Sequence, residues 1–305
     1  MSRVAVLFGG ISAEREVSLT SGRLCAAALV EAGFEVTPID VGADPAALID
    51  ALRAARPDAV FNALHGRYGE DGCVQGLLDW MGLPYTHSGL RASATAMDKA
   101  AAKAVFRSAG LPVAEQVLLT AAELEDSDPL PVPYVIKPVH EGSSVGVHII
   151  RANDNRRAEI ARTWTFGQIM AEPFIPGREL TVAVLGDEAL TVTDITAHTE
   201  FYDYEAKYAD GGSTHILPAR IHPGIAAEAM RVALAAHQAL GCRGVSRADF
   251  RYDDTAGEPG RLILLEVNTQ PGMTPTSLVP EQAAHRGISF PALCARLVAE
   301  ARHGT

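Results

Sequence analysis

Residues 245–268 read VSRADFRYDDTAGEPGRLILLEVN. The runs 245–252 and 261–267 have the β-branched and apolar make-up of strands, and the Asp/Gly/Pro cluster between them is a turn. Side chains at i and i+2 of a strand share a face, so Arg247 goes with Asp249 and Glu266 with Asn268. Antiparallel pairing could set these two faces side by side. Three hard oxygen donors, Asp249, Glu266 and Asn268, would then converge, a set that suits Mg2+ completing its shell with water and phosphate oxygens. Glu266 interrupts an apolar strand, and an inward carboxylate without a partner is costly. A structural ion pair with Arg247 is the competing use of that carboxylate.

Upstream, Gly142-Ser143-Ser144-Val145-Gly146 lies between two predicted strands, after Lys137-Pro138 and Glu141. The backbone N–H groups and two hydroxyls of such a loop can wrap phosphate oxygens while Lys137 neutralises them. It is no Walker A loop, because G-K-[ST] is missing and a strand follows. A plain turn is the alternative; the lysine ending the preceding strand favours phosphate. Together with the acidic set, the loop implies a nucleoside triphosphate and Mg2+ held between an α+β lobe and a sheet.

The first third alternates short apolar runs, 4–8, 34–39 and 59–62, with Ala/Leu-rich helical stretches, 14–32 and 45–55. This βαβαβ pattern predicts an α/β unit whose parallel sheet is buried on both faces, with ligands at the carboxyl ends of its strands. FGGISAERE and NALHGRYGEDG stand at two of those ends. A dinucleotide site needs G-x-G-x-x-G, whereas Gly9-Gly10-Ile11-Ser12-Ala13-Glu14 puts a carboxylate where a pyrophosphate would lie. Glu14 is either a favourable charge at a helix N-terminus or a holder of a substrate cation. An Ala-rich helix over 92–109, stopped by Gly110 and Pro112, opens a second unit of strands 113–118, 134–137 and 147–151 and a helix 156–163. A third unit has two strands joined at Gly186-Asp187, a long polar segment 198–218, a helix 223–240, the strand pair quoted above, and a terminal helix 289–302. The expected domains are 1–91, 92–178 and 179–305.

Composition bounds the partners. The 305 residues are 48% apolar and 21% charged, a soluble globular profile, and 26 Lys/Arg against 37 Asp/Glu leave a net charge of -11. That field opposes a sequence-independent grip on nucleic acid. No apolar run approaches the roughly 18–20 residues needed to span a bilayer. The start, MSRVAVLFGG, lacks a secretion-signal core and cleavage site. Four cysteines without a C-x-x-C pair write neither a zinc knuckle nor a redox motif, and fit a reducing cytoplasm.

In order, the segments GGISAEREVSLTSG, ALHGRYGEDGCVQGLLDWMGLPYTHSG, MDK, IKPVHEGSSVGV, FYDYEAKY, SRADF and LLEVNTQPGMTPTSL carry a resemblance over nearly the whole length. The chain resembles the D-alanine–D-alanine ligases of the ATP-grasp superfamily. The resemblance implies three lobes: a Rossmann-like parallel-sheet domain ahead of two ATP-grasp lobes. It implies ATP-dependent ligation of two D-alanines through a D-alanyl phosphate, for peptidoglycan precursors. Lys99, Lys137, Ser144 and Lys207 would hold the phosphates, Glu172 the adenine amino group, the backbone near Ile175 the ring edge, and Glu179 the ribose. Pro173 stands where some relatives have a basic residue. Two Mg2+ ions, with Mn2+ as a substitute, would sit on Asp249, Glu266 and Asn268. Glu14, linked to Ser143 and Tyr208, would bind the first ammonium, and His65 would line that subsite or simply pack the loop. Arg247 and the Gly272 N–H would form the oxyanion hole, and Ser277 with Leu278 would hold the second carboxylate. Tyr208 favours an amine over a hydroxy acid as the second substrate. The segment 198–218 would be a lid that keeps water from the acylphosphate. A D-hydroxy-acid ligase and a non-catalytic homologue are the alternatives; a homodimer in the cytoplasm is the expected state.

Overall fold

The computed structural model describes residues 2–197 and 212–304. Strand β1 (Arg3–Gly9) lies between β2 (Glu35–Val41) and β3 (Ala59–Asn62), parallel to both. β1 and β3 are buried, as their continuous apolar sequence requires, but β2 is an edge strand with most side chains exposed. The expectation of burial on both faces therefore fails for β2; Pro38 offers no N–H to a further neighbour and suits an edge. Helix α1 (Arg15–Glu31) lies on β1 where Gly22 admits it: a Cβ there would stand 2.2 Å from Cβ of Phe8. Helix α2 (Pro45–Ala55) starts at Asp44, whose carboxylate accepts from the Ala46 N–H at 2.9 Å. Helix α3 (Cys73–Met81) follows the GRYGEDG loop.

The single helix expected over 92–109 is two, α4 (Leu90–Met97) and α5 (Lys99–Ser108). Asp98 breaks it with an extended backbone (φ -87°, ψ 100°), and its carboxylate accepts from Ala100 and Ala101 N–H, both at 2.9 Å.

A second, antiparallel sheet has the order β4 (Val117–Leu119), β7 (Ile169–Pro173), β5 (Tyr134–Pro138), β6 (His148–Ile150). Helices α6 (Ala121–Asp126) and α7 (Arg157–Thr163) contribute Leu124 and Ile160 to its core with Tyr134, Ile136 and Ile169. The third sheet runs β10 (Ser213–Ile216), β9 (Glu188–Ala197), β8 (Arg178–Leu185), β11 (Val245–Asp253), β12 (Arg261–Asn268), all antiparallel. Helix α8 (Pro223–Leu240) covers it with Ile225, Val232 and Leu240. Of the segment expected to be a lid, 213–216 is β10, a strand tied to β9; residues 198–211 lie outside the described residues. Two helices end the fold, α9 (Leu278–His285) and α10 (Phe290–Ala299), where one was expected over 289–302.

One apolar core joins the first and third sheets: Val4, Phe8 and Phe61 pack with Leu185, Val245 and Leu297. Arg243, 8% exposed, fastens the same junction. Its guanidinium donates to carbonyls of His87 (3.0 Å), Gly304 (3.0 Å) and Arg302 (2.6 Å) and lies 4.6 Å from the Tyr85 ring centroid. The carboxyl ends of β1 and β3 thereby face β11 and β12.

Candidate active site

Strands β11 and β12 pair as their side-chain alternation suggested, with Arg247 opposite Asn268 and Asp249 opposite Glu266. Arg247 pairs with Asp249, Nε to Oδ1 at 2.8 Å and Nη2 to Oδ2 at 2.6 Å. The neighbouring β8 adds the Thr181 hydroxyl, which donates to Asp249 Oδ1 at 2.7 Å. Glu266 has Lys99 Nζ at 3.5 Å, and its charge also acts on the Lys137 ammonium. Asn268 Oδ1 accepts from the Gln270 N–H at 2.8 Å. Among the described residues no three His, Cys, Asp or Glu side chains gather as a metal cage. The set is two carboxylates and an amide oxygen, hard donors on adjacent strands. This fits an ion that takes its other ligands from phosphates and water.

On one side of Glu266 a cavity is lined by Lys137, Ser144, Glu172, Ile175, Glu179 and Asp249, among others. Glu172 is 4% exposed and lies between two ammonium groups, Lys137 at 2.7 Å and Lys103. Burial pushes the Lys137 ammonium down to about 8. Arg251 closes the far end: Nε donates to the Ile175 carbonyl at 3.0 Å, and Nη1 stands 3.8 Å from Glu179. Neither Lys103 nor Arg251 was legible as a site residue. The available signal was spacing: Lys103 is four residues from Lys99, and Arg251 two from Asp249, each on the same face of its element.

On the other side a second cavity is lined by Glu14, His65, Glu70, Ser143, Arg247 and Gly272, among others, and shares Lys99, Glu141, Gly142 and Glu266 with the first. Glu14 makes no side-chain cap bond to α1; it accepts from the Ser143 hydroxyl across the cavity. Ser143 and Ser144 have φ of 50° and 59°, a left-handed turn that non-glycine residues rarely hold. His65 is 6% exposed, burial lowers its pKa, and Nε2 finds no hydrogen-bond partner among the described residues. Glu70 is pushed up to about 8, first by burial and then by the charge of Glu14. It stood unassigned within NALHGRYGEDG, and its neighbour Asp71 is spent on the loop, accepting from Tyr68 and Cys73 N–H at 2.9 and 3.1 Å.

A Cβ on Gly272 would come within 3.1 Å of Ser277 Oγ, so the Ser277 side chain lies close against this glycine. Ser277 Oγ accepts from the Thr274 N–H at 3.1 Å at the start of α9, and the Leu278 side chain is buried. Neither Ser277 nor Leu278 lines these two cavities. Lys207 and Tyr208 lie outside the described residues.

Residues 105–299 match the family described as D-ala D-ala ligase C-terminus, and residues 43–88 match D-ala D-ala ligase N-terminus. The chain belongs to the D-alanine–D-alanine ligase family. It is 66% identical over 300 residues to the D-alanine–D-alanine ligase of Granulibacter bethesdensis, spanning 98% of this chain and 97% of that protein. The Acidiphilium cryptum D-alanine–D-alanine ligase is also 66% identical, over 302 residues and 99% of both chains. Among solved structures, the Bacillus anthracis D-alanine–D-alanine ligase complexed with ATP superposes with a TM-score of 0.83 at 28% identity, over 98% of this chain and 97% of that one. A second structure of the Bacillus anthracis enzyme gives 0.84 at 32% identity, with the same coverage. The fold of this D-alanine–D-alanine ligase family member is therefore ATP-grasp, as the sequence resemblance implied. Among its described residues, no helix is long and apolar enough to cross a membrane.

Proposed function

We infer that the protein joins two D-alanines to D-alanyl-D-alanine at the cost of ATP, a step in peptidoglycan precursor synthesis. The observation that carries the reading is the pair of cavities meeting at Glu266 and Lys99, within a chain 66% identical to named ligases. Phosphoryl transfer asks for in-line placement and for neutralisation of developing charge. A nucleotide in the first cavity would have its γ-phosphate at the shared wall, facing a carboxylate bound in the second. Lys99 and Lys137, with Lys207, would neutralise the phosphates, and Ser144 and its loop would supply further donors. Asp249, Glu266 and Asn268 would hold Mg2+, or Mn2+ in its place. Bound there, the ion would screen phosphate charge and orient the γ-phosphate.

The first D-alanine would place its ammonium against Glu14 and its body beside His65. Its carboxylate attacks the γ-phosphate to give D-alanyl phosphate and ADP. The amine of the second D-alanine, its carboxylate held by Ser277 and the Leu278 backbone, then attacks the acyl carbon and displaces phosphate. Arg247 and the Gly272 N–H would stabilise the oxyanion. Glu172, the Ile175 backbone and Glu179 would receive adenine and ribose. Tyr208 would complete the Glu14–Ser143 network, and the part of the segment 198–218 ahead of β10 would act as the lid. The lobes we assign, 1–91, 92–178 and 179–305, each hold one sheet, apart from the first residue of β8. Family membership supports a cytoplasmic homodimer, which sedimentation of the purified protein tests.

Phosphate release with ATP and Mg2+ should rise with D-alanine and stay near background with L-alanine or D-lactate alone; no rise with D-alanine overturns the reading. Glu266→Gln should lower turnover by about 100-fold or more while circular dichroism and melting stay close to the parent. Substantial residual turnover would mean that the metal set is misassigned.

A further inference from the structure

Helix α5 presents two lysines four residues apart, hence on one face. Lys99 reaches the wall common to both cavities. Lys103, 1% exposed, reaches Glu172 and donates to the Ala114 carbonyl at 3.3 Å. Ala114 and Glu172 line the first cavity, and Lys103 stands behind them. Glu172 thus has an ammonium on each oxygen, Lys103 at Oε1 and Lys137 at Oε2. Two buried cations around one carboxylate are more than a minimal ion pair needs, and buried pairs are poor devices for stability alone. Lys137 is also the cation offered to the phosphates. Burial and the charge of Lys137 push the Lys103 amine down to about 6, so the touching Glu172 carboxylate is what keeps it charged. When Lys137 turns to the phosphates, Lys103 is the partner left on Glu172.

We propose that Lys103 is a positioning residue that makes the nucleotide site select an amino purine over an oxo purine. The proposal rests on the reading of Glu172 as the acceptor for the adenine amino group. Held by Lys103, Glu172 stays an ionised acceptor with a lone pair open to the cavity. An ionised carboxylate accepts from the exocyclic N–H of adenine and repels the C6 oxygen of hypoxanthine. Without Lys103 the buried carboxylate would hold a proton more readily. A carboxylic acid offers an O–H as well, so it would accept either purine.

The test is calorimetric binding of ADP and IDP, with Mg2+, to the whole protein and to Lys103→Met, Lys103→Gln and Lys103→Arg. The parent should bind ADP at least ~30-fold more tightly than IDP, the scale of one hydrogen bond to a charged group against its unpaired counterpart. Lys103→Met should cut that ratio by ~10-fold or more, and Lys103→Arg should restore most of it. Lys103→Gln fills similar space without charge and carries the same expectation if the Met variant does not fold. A parent without preference would overturn the adenine reading of Glu172 and this inference with it. A parent that prefers ADP, with uncharged variants that keep the ratio or lose both nucleotides equally, overturns the role of Lys103 alone.

Discussion

Glu70 shows how much of the chemistry resides in surroundings rather than in residue type. Its carboxyl, pushed up to about 8 by burial and by the charges of Glu14 and Glu266, keeps its proton at neutral pH. The folded pKa lies above the ordinary value of 4.5, so the native state binds this proton more tightly than the unfolded chain. The resulting stabilisation is complete below about 4.5 and is lost as pH rises through about 8. Glu70→Gln, neutral throughout, should flatten the fall in stability across that window, as urea unfolding at pH 5, 7 and 9 would show. An unchanged slope would place the titration elsewhere. Asp249, Glu266 and Asn268 were legible because a period of two puts them on one face whatever surrounds the strands. Glu70, Lys103 and Arg251 were not, because partners distant in sequence give them their roles: Glu14 for the first, Glu172 for the second, the Ile175 carbonyl for the third.

At the scale of elements, the break at Asp98 decides where the lysines of α5 point. Residues 92–109 are Ala-rich with no glycine or proline, and so read as one helix, although Asp98 is a good cap that a continuous helix would waste. Two N–H groups bonded by one carboxylate set the start of α5 and with it the direction of Lys99 and Lys103. Asp98→Ala should cost about 1 kcal/mol in chemical denaturation and raise the KM for ATP more than that for D-alanine. Equal rises would mean that the cap serves stability only. Long periodic helices such as α1, α2 and α8 were legible almost to their ends. α3 and α9 were not: α3 follows the Gly-rich HGRYGEDG and α9 the Gly/Pro segment QPGMTPTS, and both read as irregular structure.

For the whole molecule, Arg243 ties the first sheet, the end of the chain and the approach to β11 through three carbonyls. Arg243→Met would leave the His87 and Gly304 carbonyls without this donor, while the Arg302 carbonyl keeps the Tyr85 N–H at 3.3 Å, with an expected loss on the order of 2 kcal/mol in unfolding free energy. Faster amide exchange at 85–88 and 302–304 than in the core of β11 should accompany it; a uniform change would count against a local fastening. This junction holds Glu14 and His65 opposite Arg247 and Glu266, so the two cavities keep their common wall of Lys99, Glu141, Gly142 and Glu266. For inhibitor design, a nucleotide-like fragment and an amino-acid-like fragment would, on the proposed reading, lie end to end, so that a tether past Glu266 spanning the place of the phosphates could connect them. Once one head is seated the other binds at high effective concentration, so two weak fragments could gain roughly 100-fold to 10,000-fold when joined.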